Sequence, residues 1–137
     1  MDFLSQLWKE YALGDSRYMT KDSFTVCMES ITAFVEGPLC FFTVWCFVKQ
    51  YSCRYLCQLC VSLGQFYGCV LYFLTAWMED FKHGPMYHPL YFWFYFVFMN
   101  VIWIVIPLLL IIDSWRSLSD VQSRLDKASQ SIKRKQF

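Results

Sequence analysis

Residues 90–112 read LYFWFYFVFMNVIWIVIPLLLII, a run of 23 residues without a single Asp, Glu, Lys or Arg. A transmembrane α-helix needs about 20 predominantly apolar residues to cross the hydrocarbon core of a bilayer. The aromatic start of the run, Tyr91 to Phe96, is typical of the headgroup boundary, where Trp and Tyr are enriched. We therefore predict that this segment spans a membrane.

Two earlier segments have the same character. Residues 24–48 and 55–77 are also apolar and long enough to span, and the short basic turn 49–54 separates them. The second contains Gly64 and Gly68 in a G-x-x-x-G pattern, which lets another helix approach closely. The sequence thus predicts an all-α integral membrane protein with three transmembrane helices.

The segments on either side of this membrane domain, residues 24–112, are more polar. Residues 1–23 are predicted to be a lumenal loop with an interfacial amphipathic helix, although an ordinary loop helix explains the same pattern equally well. Asp22 or Ser23 can cap the first spanning helix, because either side chain can accept a free backbone N–H. Residues 113–137 are rich in Ser, Gln and charge, and we predict a helix that leaves the membrane and becomes a disordered basic tail.

The composition excludes several other classes of protein. Apolar residues make up 57% of the chain, aromatic residues 21% and charged residues only 17%, which is far from an ordinary soluble domain. A net charge of +1 without a basic stripe argues against nucleic acid as a partner. Seven cysteines, mostly in or beside the apolar segments, do not fit a secreted disulfide framework. The first span follows no basic region of a signal peptide, so we expect it to remain as an anchor.

The distribution of Lys and Arg predicts the orientation. The turn 49–54 and the tail 113–137 hold eight of these residues, whereas the N-terminal segment and the 79–89 loop hold four. The positive-inside rule therefore places the C-terminus in the cytosol. The end of the chain, Lys133 to Phe137, matches the Lys-x-Lys-x-x retrieval pattern of multi-pass endoplasmic reticulum proteins, which favours that membrane as the location.

Two carboxylates lie within the first predicted span. A charged side chain at the centre of a bilayer costs roughly 2.5–3.5 kcal/mol on insertion scales, so an intramembrane Glu needs a partner, a water pocket or a proton. Glu29, Thr32 and Glu36 are spaced i, i+3, i+7, which places them on one helix face. They are candidates to line a site inside the bundle. A hydrogen-bonded Glu that only joins helices is an equally good interpretation.

The third span repeats this spacing with Asn100, Trp103 and Pro107, an amide, an indole and a kink on one face. Simple packing explains Trp103 as well as a functional role does. The two histidines, His83 and His88, lie in a loop without a Cys or carboxylate at metal-ligand spacing, so we predict no metal site.

One cysteine pair needs separate mention. Cys57-x-x-Cys60 has the spacing of a redox or zinc pair, but it lies in an apolar helix without a second pair. We interpret these cysteines as small packing residues, with palmitoylation near Arg54 as the alternative.

Long motifs connect this chain to a known family. The stretches FLSQLWKEYALGDSRY (3–18), FTVCMESIT (24–32), QFYGCVLYFLT (65–75) and HPLYFWFYFVFMN (88–100) resemble the emopamil-binding protein family. That family contains the 3β-hydroxysteroid Δ8,Δ7-isomerase of cholesterol synthesis in the endoplasmic reticulum. The resemblance runs from Phe3 nearly to the end and matches the last three helices of a five-helix bundle.

The resemblance implies a sterol substrate, lipophilic amine ligands, no cofactor and specific roles for residues. Glu29 would transfer the proton and stabilise charge, Thr32 would orient it, and Trp103 would face a carbocation. Asn100, Glu36 and Tyr67 would contact the substrate.

This chain also departs from the family pattern. Nothing in it replaces the His and Glu that the family carries in the second of its five helices, and Glu36 and Cys69 stand where we expect an aromatic residue and an acid. The sequence therefore leaves two functions open: a sterol Δ8–Δ7 isomerase, or a truncated, non-catalytic membrane protein that binds sterols, amines or another protein. The chain alone is expected to isomerise weakly or not at all, unless it forms a homo-oligomer or pairs with a longer relative.

Overall fold

The structure, a computed structural model, describes residues 3–135, with side chains to residue 132, and all the regular secondary structure in that range is helical. No strand occurs within that range, which confirms the all-α prediction. The α-helices are α1 (Phe3–Gly14), α2 (Arg17–Thr20), α3 (Ser23–Ile31), α4 (Gly37–Val48), α5 (Arg54–Met78) and α6 (Met99–Lys135). Two π-helical segments, Thr32–Glu36 and Pro89–Phe98, connect α3 to α4 and lead into α6.

Three helical stretches are long and apolar enough to cross a membrane: Ser23–Val48, Arg54–Met78 and Pro89–Ile132. They contain the three predicted spans. Two of them begin at side-chain caps. Asp22 accepts the backbone N–H of Thr25 at 2.9 Å, as predicted, and Nδ1 of His88 accepts the N–H groups of Leu90 and Tyr91 at 3.3 Å each.

The prediction of a disordered tail was wrong for the described residues, because α6 continues without a break to Lys135. After Pro107 this segment contains neither Gly nor Pro, the two residues that most strongly oppose a helix. A hydrogen bond of 2.8 Å from Gln122 to Asp126, four residues on, supports the exposed part. The side chains of the retrieval pattern at 133–137 lie outside the described part of the chain.

The tightest helix packing is between α5 and α6. The amide of Gln58 donates to the carbonyl of Leu110 at 3.2 Å, to Asp113 at 3.0 Å and to Ser114 at 3.1 Å. Ser62 and Ser114 are fully buried, so small polar side chains let these helices come close. Tyr72 and Ala76 of α5 form a hydrophobic core with Phe92 and Phe96 of the π-helical segment that leads into α6.

Gly64, the first glycine of the predicted G-x-x-x-G pattern, lies against a side chain of another helical segment. A Cβ added to Gly64 would overlap Oε1 of Glu36, whereas one added to Gly68 would meet nothing within 4 Å. A second close approach joins the end of α1 to the 79–88 loop, where a Cβ on Gly84 would overlap the backbone carbonyl oxygen of Gly14. The N–H of Ser16 donates to the carbonyl of His83 at 2.7 Å in the same region. These contacts hold the N-terminal segment against the 79–88 loop that follows α5.

Candidate functional site

A buried ion pair joins the end of α1 to the start of α2. Asp15 is 2% exposed and Arg17 is 1% exposed. Arg17 donates from Nε to both carboxylate oxygens of Asp15, at 3.0 and 2.9 Å, and from Nη2 to Oδ2 at 2.6 Å. The backbone N–H of Arg17 also donates to Oδ1 at 3.0 Å. Such a bidentate pair meets most of the hydrogen-bonding needs of both charges inside the chain.

Helix α5 completes the surroundings of this pair. The hydroxyl of Tyr72 donates to Asp15 at 2.5 Å, and the guanidinium of Arg17 lies 4.4 Å from the centre of the same tyrosine ring. Nη1 of Arg17 donates to Thr75 at 3.1 Å. Burial opposes the charge on Arg17, but the hydrogen bonds and the charge of Asp15 more than offset it, so the pKa of Arg17 is raised.

A group of aromatic rings adjoins the ion pair through Tyr72. Trp8 lies 5.8 Å from Tyr11 and 5.4 Å from Tyr18 between ring centroids, and Tyr11 and Tyr18 are 5.3 Å apart. Tyr95 and Tyr72 each lie 6.3 Å from one of them. All of these separations fall within the 4.5–7 Å range of interacting aromatic pairs. We call these five residues the aromatic cluster.

Two of the predicted site residues connect to the aromatic cluster from opposite helices. The hydroxyl of Tyr18 donates to Oε1 of Glu29 at 3.0 Å. Nδ2 of Asn100 donates to the hydroxyl of Tyr11 at 2.9 Å and to the carbonyl of Phe96 at 2.8 Å. Since Tyr11 and Tyr18 are neighbours, Glu29 of α3 and Asn100 of α6 are joined through two tyrosines.

The two linking tyrosines are held in their protonated form. Burial is the main reason why the pKa of Tyr18 is raised, and the nearby Tyr11 and Glu29 add to it. Burial also raises the pKa of Tyr11, against the opposing effect of its hydrogen bond with Asn100. Tyr18 therefore remains a hydrogen-bond donor to Glu29 near neutral pH.

Both linked residues lie beside a π-helical segment. Glu29 precedes the segment Thr32–Glu36, and Asn100 follows the segment Pro89–Phe98. A π-turn is wider than an α-turn and shifts the register of all later residues, and such turns occur frequently at functional sites. The π-segment explains why the helical spacing assumed for Glu29, Thr32 and Glu36 does not hold over its whole length.

The remaining predicted residues are not brought together with Glu29 and Asn100. Thr32 is exposed, and Glu36 lies half-buried against Gly64 instead of beside Glu29. Tyr67 is 63% exposed and Trp103 is 53% exposed on the surface of the three helices.

The predicted inward orientation of Trp103 is not observed, although Asn100 and Pro107 of the same face are both buried. At 3.6 residues per turn, positions 100 and 107 differ by about 20° around the helix, whereas position 103 is turned by about 60° from 100. The i, i+3, i+7 spacing therefore placed Trp103 with Asn100 and Pro107, whereas the packing buries only Asn100 and Pro107.

The two loop histidines have structural partners. Nε2 of His83 lies 3.0 Å from Oε2 of Glu79, and its Nδ1 lies 3.4 Å from the hydroxyl of Ser16. His88 caps the third long helix as described above.

Sequence reasoning missed the ion pair, Tyr72 and both linking tyrosines. They lie within or pack against residues 1–23, whose Gly, Asp and Ser run at 14–16 is typical of the exposed loop predicted there. One signal was available: Asp15 and Arg17 have opposite charge two residues apart, between two segments with apolar residues at helical spacing. Only the tertiary fold shows that this turn lies under α5.

A narrow crevice opens beside the ion pair. It is lined by Gly14, Asp15, Arg17, Phe81 and Phe92, among others. Its volume of about 10 Å³ is room for one water molecule at most, far below the few hundred Å³ of a typical ligand pocket. The crevice therefore cannot hold a sterol.

Three long apolar helices and a buried polar centre are typical of helical membrane proteins. Comparison with known proteins identifies the family. The sequence profile of EXPERA, the expanded EBP superfamily, matches residues 3–114. The chain belongs to this family.

Three mammalian relatives of this chain carry the same name. The chain is 54% identical over 133 residues to the mouse 3-beta-hydroxysteroid-Delta(8),Delta(7)-isomerase, covering 97% of this chain and 58% of the mouse protein. The protein of the same name from rat is 55% identical, with the same coverage, and that from guinea pig is 56% identical over 90% of this chain and 54% of its own length. The chain thus spans a little over half the length of these relatives.

Proposed function

We propose that this chain belongs to a sterol Δ8–Δ7 isomerase and supplies its acidic and aromatic side chains. The observation that carries the proposal is the linkage from Glu29 through Tyr18 and Tyr11 to Asn100 inside a cluster of aromatic rings. The names of the mouse, rat and guinea pig relatives support the same reaction.

The reaction needs proton transfer and shielding of a cation. The π-electrons of the 8,9 double bond take up a proton at one ring carbon, which leaves a tertiary carbocation. A C–H bond on the neighbouring carbon then breaks, its electrons form the 7,8 double bond and the proton leaves. No net oxidation occurs, so the reaction requires no redox cofactor.

Glu29 is the residue of this chain best suited to that chemistry. Its carboxyl group can exchange a proton, and its charge can stabilise a nearby cation. Tyr18 orients the carboxylate by donating to it, and the faces of the aromatic cluster offer cation–π attraction, worth about 2 kcal/mol when desolvated. Thr32, Glu36, Tyr67, Asn100 and Trp103 stay in the roles that the family resemblance implies, as orienting or contact residues.

The membrane setting is part of the proposal. The three long apolar helices would cross the endoplasmic reticulum membrane, with the basic C-terminal end in the cytosol and residues 1–23 on the lumenal side. The half-exposed faces of Tyr67 and Trp103 would contact the bilayer or further helices of the complete enzyme. A homo-oligomer or a complex with a longer relative could supply those helices.

A second function is favoured by one observation. The crevice beside Asp15 is too small for a sterol, yet the half-buried Tyr18 of the aromatic cluster contacts the carboxylate of Glu29. A lipophilic amine needs only an anion and aromatic faces for its ammonium group. The alternative is therefore a non-catalytic membrane protein that binds such amines.

Sterol analysis of isomerase-deficient cells separates these functions. The cells would express either this chain or a chimera in which the mouse relative supplies the two upstream helices that the resemblance implies. We expect the chimera to lower the ratio of Δ8 to Δ7 sterols, and the chain alone to change it weakly or not at all. A membrane-inserted chimera that binds amines but leaves the sterol ratio unchanged would support the second function instead.

A further inference from the structure

Three cysteines meet at the turn between the first two long helices. Cys46 lies in the last turn of α4, Cys53 directly precedes α5, and Cys57 lies one turn into α5. Their three Sγ atoms all lie within 4.8 Å of one another, and Cys46 and Cys53 are 3.7 Å apart. We call this group the thiol cluster. It differs from the pair considered in the sequence, because Cys57 lies with Cys46 and Cys53 and not with Cys60.

We propose that the thiol cluster binds a thiophilic d¹⁰ metal ion, Zn²⁺ or Cu⁺. Zn–S bonds are about 2.3 Å long, so two thiolates on one tetrahedral ion lie roughly 3.8 Å apart. The observed 3.7 Å between Cys46 and Cys53 agrees with that separation. It is far longer than the roughly 2.05 Å of a disulfide bond.

The surroundings of the thiol cluster suit a bound ion. Cys46 is 0% exposed, whereas Cys53 and Cys57 are half-buried, so the ligands are shielded on one side and open toward the turn on the other. Thiolate is the ligand type that selects Cu⁺ and Zn²⁺ over harder cations.

The other cysteines among the described residues do not take part in the thiol cluster. Cys69 donates to the carbonyl of Asn100 at 3.2 Å, and Cys40 accepts from Gln65 at 3.4 Å. Cys27 and Cys60 are exposed. A general preference for cysteine as a small packing residue would not explain why three of seven meet at one point.

Binding would clamp the end of α4 to the start of α5. Each thiol that coordinates gives up its proton to solvent, so three protons leave for each ion bound, and no electron is transferred. Three protein ligands leave a fourth position on Zn²⁺ for water, while Cu⁺ can remain three-coordinate. The clamp would stabilise the turn 49–53 against opening.

Metal titration of the full chain tests this proposal. The chain would be purified in detergent micelles, reduced and stripped of metal, and then titrated with Cd²⁺, a spectroscopic substitute for Zn²⁺, or with Cu⁺. We expect thiolate-to-metal charge-transfer absorption that saturates at one ion per chain. Competition between Cu⁺ and Zn²⁺ for the Cd²⁺-loaded protein then decides which ion is preferred.

Variants locate the ligands. Cys53→Ser and Cys57→Ser should each weaken Cd²⁺ binding by more than about 100-fold. Loss of a residue that only hydrogen-bonds to a metal ligand already costs roughly 10–100-fold in affinity, and loss of the ligand itself should cost more. Cys27→Ser, an exposed cysteine outside the thiol cluster, should bind like the unaltered chain.

Alkylation followed by peptide mass analysis gives a second readout that needs no substitution. Bound Cd²⁺ should protect the half-buried Cys53 and Cys57 from a maleimide and leave the exposed Cys27 and Cys60 reactive. Absence of a charge-transfer band, or equal protection of Cys27 and Cys57, would overturn the proposal.

Discussion

The hydroxyl of Tyr18 donates a hydrogen bond to Oε1 of Glu29 across 3.0 Å, which ties the short helix α2 to the first long helix. The two residues are eleven positions apart, and Asp22 caps the helix that begins between them. The hydrogen-bond partner of Glu29 is therefore a neutral tyrosine hydroxyl. A carboxylate held in this way has a defined orientation and can still exchange a proton.

The first prediction concerns Glu29 in the chimera with the upstream helices. Glu29→Gln keeps the shape and polarity of the side chain but removes its transferable proton and its charge. We expect a loss of isomerase activity of about 10²–10⁴-fold, the usual contribution of a general acid or base. Glu36→Gln is the matched comparison, because Glu36 lies against Gly64 and not beside Tyr18, and as a contact residue it should cost far less activity than Glu29→Gln. Turnover of a Δ8 sterol measures both, and equal small losses would make Glu29 a structural residue.

The second prediction concerns the buried ion pair. Arg17→Ala leaves Asp15 buried without its bidentate partner, and breaking such a pair typically costs about 3–5 kcal/mol. Arg124→Ala, an exposed arginine on α6, should change stability by no more than about 0.5 kcal/mol. Unfolding of the micelle-bound protein with dodecyl sulfate, followed by circular dichroism, measures both. Similar unfolding curves for the two variants would contradict this account.

The third prediction is a pH dependence at the start of the first long helix. The backbone N–H of Thr25 hydrogen-bonds to Asp22 and lowers its pKa in the folded chain. Because the folded pKa lies below the unfolded value of about 3.9, the stabilisation is fully present above that pH and is lost as the pH falls through the folded pKa.

Two variants at Asp22 test this expectation. Asp22→Ala should destabilise the protein by about 1 kcal/mol at neutral pH, with a difference that shrinks in acid. Asp22→Asn keeps a cap acceptor that does not titrate, so its stability should depend less on pH. Unfolding curves at several pH values give both quantities, and a difference that grows in acid would contradict the assigned sign.

The fourth prediction compares two glycines. Gly84→Ala would place a methyl group on the backbone carbonyl of Gly14, which cannot move away easily. We expect a cost of about 1–3 kcal/mol, as for other overpacked positions. Gly64→Ala meets only the far end of the flexible Glu36 side chain, which can rotate, so it should cost less. Thermal unfolding of the two micelle-bound variants, followed by circular dichroism, should therefore differ, and the reverse order would show that the contact between Gly84 and Gly14 is loose.

The fifth prediction concerns topology. A glycosylation acceptor inserted in the 79–89 loop should be modified in microsomes, and one inserted in the tail 113–137 should not, because the Lys and Arg asymmetry places the tail in the cytosol. Gel shifts before and after removal of the glycan measure this. Modification of the tail instead of the loop would reverse the orientation.

The elements that the sequence predicted correctly depend on local patterns. The three long helices follow from apolar length, and the cap at Asp22 follows from the residue type and its position. What the sequence did not reveal depends on tertiary contacts. Trp103 is 53% exposed in this chain, and the ion pair of Asp15 and Arg17 is buried by α5, which lies some 60 residues away in the chain. No local pattern contains that information.

The unbroken length of α6 has an electrostatic consequence. At about 1.5 Å per residue, the stretch from Asp113 to Lys135 extends roughly 35 Å beyond the apolar part of the helix. That distance is about four Debye lengths at physiological ionic strength, where the screening length is about 8 Å. Basic residues close to a membrane normally gain about 1 kcal/mol each from anionic headgroups. A straight α6 would carry the exposed Arg124 and Lys127, about 16 and 21 Å beyond Asp113, out of most of that attraction and present them to partners in water.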